Sequence, residues 1–183
     1  MNKMVLLFAA CSITLSCSYL DTGPRKSEEL FLGIYLGMKK EDFFDRCWQL
    51  NKENLVTQGP GNQSVEYRLN GNEKPSILMH FYPHFYNDRI YEMPVVYHYE
   101  PWAPWNREYW SDKLLDKIVH HFDSTYGKME VLDHRTMGKV YYRIDGKRRI
   151  NVFIKDDQYV QAVFTDMSVE RRIKRLQTHD NNE

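Results

Sequence analysis

Seven histidines, three cysteines and a dense run of aromatic residues are the side chains with chemistry to offer. His80, His84, His98, His120 and His121 are of a type that binds metals, and Asp88 is near them in sequence. Pro83 separates His80 from His84, however, and two adjacent residues on a helix point about 100° apart. The histidines therefore read as separate surface or hydrogen-bonded groups, and no metal or cofactor is expected. Cys47 has two readings, a nucleophile or a small buried hydrophobe; its place on the apolar face of a helix beside Trp48 favours the second. No nucleophile elbow, zincin, Cys-x-x-Cys, phosphate-loop or dinucleotide motif occurs in the chain. No catalytic residue is assigned, and a protein without enzymatic activity is expected.

The aromatic run holds Tyr97, Tyr99, Trp102, Trp105, Tyr109 and Trp110, with Pro101 and Pro104 stiffening it. Flat rings on a stiff backbone suit a binding surface for another protein or for the faces of sugars. Trp102, Trp105, Tyr109 and Trp110 are the candidate binding residues, and Asn106, Arg107 and Glu108 could add polar contacts. The competing reading packs the same rings over a sheet as core. Two basic runs, Lys147-Arg148-Arg149 and the set Arg171, Arg172, Lys174, Arg175, are either solvated surface or contacts for anionic headgroups. The 25 basic and 25 acidic residues balance. That leaves no field to gather nucleic acid, and no nucleic-acid partner is expected.

The first residues, MNKMVLLFAACSITLSC, carry one positive charge at Lys3 and then an uncharged apolar stretch. The stretch is shorter than the ~20 residues a spanning helix needs but suits the apolar region of a secretion signal. Thr14-Leu15-Ser16-Cys17 resembles the lipobox of bacterial lipoproteins, in which the Cys thiol is acylated and the chain is cut just before it. Leu15 stands two places before Cys17 rather than the usual three, and Cys11, after Phe8-Ala9-Ala10, is a rival site. A plain secretion signal without lipid is the other alternative. The resemblance implies a signal peptide over 1–16, lipidation at Cys17 and a membrane anchor through that lipid. Residues 17–29 then form an anchored tether, whose polar part, 18–29, reaches ~40 Å when extended. No acidic run follows Cys17. The expected location is therefore the periplasmic face of the outer membrane of a Gram-negative bacterium. Once Cys11 and Cys17 are set aside, Cys47 has no partner for an internal disulfide.

Behind these groups lies a regular pattern. Phe44, Cys47, Trp48 and Leu55, widened by Phe43 and Leu50, predict a helix over about 38–54 with that stripe buried. Strands follow at 65–69, 76–82 and 90–99. Ser111 is the expected N-cap of a second helix over about 112–126. Trp110 would staple onto Leu115, and Gly127 would close the helix. Alternation at 140–144, 150–154 and 160–164 predicts a three-stranded meander, with a turn at Asp145-Gly146. Val169, Ile173 and Leu176 predict a short closing helix within 168–183, and 178–183 reads as a disordered tail. The fold class expected is α+β: two helix-plus-antiparallel-meander units forming an antiparallel sheet with helices on one face. A single domain spans 30–167, and its tandem units are 33–99 and 108–166.

The segment Leu36-Gly37-Met38-Lys39-Lys40-Glu41-Asp42-Phe43 resembles a signature of small envelope lipoproteins. In the BamE/SmpA-like group and the related β-lactamase-inhibitor-protein-like fold, a Gly-Met pair opens an amphipathic helix and a strand meander follows. Lys39 stands where a Thr or Ser cap is usual. The likeness covers residues 33–55 by motif and 33–166 by element order. It implies a scaffold or protein-binding module with an envelope protein as partner; a glycan-binding lipoprotein and an enzyme with an unrecognised site are the alternatives.

Overall fold

The computed structural model describes residues 26–180. Cys17, its rival Cys11 and the leader over 1–16 lie outside the described residues. The fold is α+β. The elements in order are α1 (Lys40–Lys52), β1 (Val56–Gln58), β2 (Val65–Arg68), β3 (Ile77–Phe81), β4 (His84–Tyr86), β5 (Arg89–Tyr99), α2 (Ser111–Tyr126), β6 (Glu130–His134), β7 (Gly138–Asp145), β8 (Arg148–Ile154), β9 (Val160–Asp166) and α3 (Met167–Asp180). All nine strands join one antiparallel sheet in the order β1-β2-β3-β5-β9-β8-β7-β6, with β4 folded back on β5. That order is symmetric about the β5–β9 seam. Moving outward, β3 matches β8, β2 matches β7 and β1 matches β6.

Alternation along the strands fixes which face is core. Ile77, Met79 and Phe81 of β3, Val95 and Tyr97 of β5, Ile150 and Val152 of β8, and Val160, Ala162 and Phe164 of β9 all enter one cluster. Over it lies α2, which buries Leu114, Leu115, Ile118 and Phe122. Phe122 stacks on Phe164 with ring centroids 5.7 Å apart. The irregular segment 30–38 fills the rest of this layer. Leu30, Ile34, Leu36 and Met38 are buried, and Phe31 meets Phe81 and Phe164 edge-on. The sequence shows no period here because the segment has no regular structure to impose one.

Several expectations shift. Ser111 does not cap α2; it is the first helical residue, and its hydroxyl donates to the Asp156 carbonyl at 2.6 Å, tying the helix to the β8–β9 turn. Gly127 does close α2, at φ +95°, and a Cβ there would lie 2.9 Å from the Arg143 guanidinium carbon. Residues 26–29, read as tether, belong to the folded body. Arg148 donates to the carbonyls of Lys26 and Glu29, and Lys147 pairs with Glu28 at 3.1 Å. Residues 178–180, read as tail, are the last turn of α3.

Candidate functional site

The four aromatic residues proposed for binding do not form one platform. Tyr109 turns inward, its ring 5.4 Å from that of Tyr99, and packs against the core. Trp110 is the N-cap residue of α2 and lies half-buried under the Arg107 guanidinium, 4.9 Å from its ring. Trp102 is also half-buried. The indole N–H groups of Trp102 and Trp110 are buried without a hydrogen-bond partner among the described residues. Trp105 alone projects, 86% exposed. The loop thus uses most of its rings as packing and presents one.

A larger aromatic surface lies on α1. The helix buries Phe43 and Leu50 and leaves Phe44 and Trp48 outside, Trp48 at 61% exposure. The expected stripe of Phe44, Cys47, Trp48 and Leu55, widened by Phe43 and Leu50, is split. Phe43 and Leu50 are buried, Cys47 is half-buried, and Phe44, Trp48 and Leu55 are exposed, because α1 sits beside the short edge strand β1, where only one line of side chains reaches the core. Phe43 anchors it, with rings of Phe85 and Tyr82 each 6.1 Å away. Trp48, Phe44, Cys47 and the exposed Tyr82 line a recess of about 360 Å³ against Val56 and Val65. Lys52 reaches over the Trp48 ring at 5.1 Å. A signal was present in the sequence: α1 carries two adjacent apolar lines, more than one sheet edge can cover. Cys47 is half-buried there, and burial pushes its thiol up to about 11, opposed by the neighbouring Arg46. At neutral pH it is a protonated, weakly nucleophilic group.

The second face of the sheet carries paired polar groups between apolar ones. His80 meets Glu66 at 2.9 Å and His84 meets Glu92 at 3.0 Å. Arg68 makes a two-pronged bond to Glu100 at 2.9 and 3.0 Å, and this partner holds the Glu100 carboxyl down at about 2. The His98 Nδ1–H donates to the Tyr99 carbonyl at 3.0 Å, and burial keeps this ring below the usual histidine range. His80, Tyr82, Pro94, Val96 and Tyr159 border an open recess of about 480 Å³. His120 is exposed on α2, and His121 is half-buried beside it. His80 and His98 are neighbours, with ring centroids 5.2 Å apart, and among the described residues no group of three or more His, Cys, Asp or Glu could hold a metal ion.

Comparison of the chain with protein-family models, with curated proteins and with solved structures finds no match. No helix among the described residues is long and apolar enough to cross a membrane.

Proposed function

We propose that the chain is a lipid-anchored cell-envelope protein that works as a protein-binding or assembly module, without catalysis. One observation carries this reading: α1 leaves Phe44 and Trp48 in solvent beside Tyr82, while Phe43 and Leu50 do the anchoring. Exposed aromatic area grouped around a recess is a common signature of a protein contact. The resemblance of the Gly37-Met38 segment to envelope lipoproteins of the BamE/SmpA-like group supports the same class. The leader and Cys17 support attachment through lipid, at the periplasmic face of the outer membrane.

The test is crosslinking in the envelope followed by mass spectrometry of the captured partner. Trp48→Ala should weaken capture about thirtyfold, equivalent to ~2 kcal/mol at a hot spot. Equal capture by wild type and Trp48→Ala would remove α1 from the interface. Attachment has its own test: the native protein should carry acyl mass at Cys17 that Cys17→Ala abolishes, and a native mass without acyl groups would reject the anchor. A glycan-binding reading rests on Trp105, since a single flat exposed ring suits sugar stacking; it requires glycan-dependent quenching of fluorescence that Trp105→Ala abolishes.

A further inference from the structure

The two basic runs have different fates. The hairpin run is spent inside the molecule. Lys147 pairs with Glu28 and Asp166 at 3.1 and 3.2 Å, Arg148 is buried, and Arg149 makes a two-pronged bond to Glu170 at 3.1 and 3.0 Å. The run on α3 is not. Arg171, Arg172, Lys174 and Arg175 are all exposed. Arg171 Nε turns back to its own helix at the Met167 carbonyl, Arg172 lies 6.0 Å over the Tyr86 ring, and Lys174 shares Glu170 with Arg149. No acidic residue stands between 171 and 179. From Lys174 to His179 every side chain is exposed, including Leu176, which continues the line of Val169 and Ile173. The second half of the helix is thus exposed, with Lys174 and Arg175 beside Leu176, while Val169 and Ile173 of the first half are partly buried.

We propose that α3 docks on anionic phospholipid headgroups at the surface of the membrane that holds the tether. Charge is the first argument: clustered Lys and Arg on an amphipathic helix are drawn to a negative lipid surface. Place is the second. Met167 N–H donates to the Lys147 carbonyl at 2.9 Å, so α3 starts at the β7–β8 hairpin. Arg148 of that hairpin holds the carbonyls of Lys26 and Glu29. The 25 residues before Lys26 therefore join the body beside the root of α3. Between Cys17 and Lys26 stand eight residues, a reach of roughly 26–29 Å. The 14 residues of α3 span about 21 Å. A membrane fixed to the tether is within reach of the helix. The cellular setting rests on the lipid-anchor reading, but the headgroup contact itself does not.

The experiment uses the chain from Ser18 to Glu183, which contains the whole described body and has neither leader nor acylation site. It is floated with vesicles of phosphatidylethanolamine and phosphatidylglycerol, and separately with phosphatidylcholine alone. Flotation is expected with the first and not with the second. Arg171→Gln with Arg175→Gln should weaken it about 25-fold, at about fivefold per charge. Circular dichroism melts of both proteins show whether the variant keeps its fold; if it does not, Arg175→Gln alone should give the fivefold effect. No flotation on anionic vesicles, equal flotation on both compositions, or charge-changed variants that bind as wild type would each overturn the proposal. A failed lipid anchor would show separately, as a native protein whose mass lacks acyl groups, and would leave the vesicle result standing.

Discussion

The helices α1 and α2 each lead into one half of a sheet whose strand order mirrors about β5 and β9, yet they meet that sheet differently. Lying across β5, β8 and β9, α2 spends its whole apolar line on the core. Beside three-residue β1, α1 buries Phe43 and Leu50 and leaves Phe44, Trp48 and half of Cys47 outside. The same helical pattern in sequence thus serves stability at the seam and display at the edge. An apolar stripe states that a helix has something to cover, and the local width of the sheet decides whether the fold covers it.

Substitutions can break this contrast. The largest effect is expected on α2: Phe122→Ala removes a fully buried ring packed on Tyr97, Tyr126 and Phe164 and should cost about 3–5 kcal/mol in denaturant unfolding. On α1, the Trp48→Ala variant used for partner capture should unfold within about 0.5 kcal/mol of wild type. A loss comparable with that of Phe122→Ala would make the α1 stripe core after all. The smallest effect concerns pH. Burial holds His98 on the second face and His121 on α2 below the usual histidine value of 6.5. The unfolded chain then binds protons more readily than the folded one, so stability is full above about 6.5 and falls as pH drops below it. Around His98 stand His80, Glu66, Glu100 and Tyr159. His98→Asn should flatten part of the fall in melting temperature on the sheet side, whereas His121→Asn should do so through α2. A melting temperature independent of pH from neutrality to mild acid would contradict both.

Strands with one buried face announced themselves. Val65–Leu69, Ile150–Ile154 and Val160–Phe164 alternate because one line of side chains packs on the core, whereas in Val140–Ile144 the alternating line ends at exposed Ile144 and it is Tyr141, from the other face, that meets the core. The missed strands lacked that asymmetry: β1 and β4 have three residues each, and β6 is exposed along its whole length. Continuous burial of β3, Ile77 to Phe81, matched its apolar run, although its second face is closed by side chains such as His80 against Glu66 rather than by a helix. In the Trp-rich loop, composition showed a concentration of rings but not their directions. Those depend on where Ser111 fastens the helix to the Asp156 turn, a contact between residues 45 apart in sequence. The grip of Arg148 on residues 26–29 was equally hidden, since a basic run gives no sign of which member turns inward.

That grip has a mechanical side. Arg148 is 3% exposed, with Tyr126 5.2 Å beneath its guanidinium and Asp145 at 3.3 Å. Its bonds run to the backbone carbonyls of Lys26 and Glu29, so they hold the chain itself whatever side chains stand there. Any pull arriving along the N-terminal segment meets this rivet before it reaches Leu30 and the core layer. The load passes into β8, a strand bonded on both sides by β7 and β9, rather than into an edge strand that could be peeled away. A protein towed by its first residues would be held by the interior of its sheet.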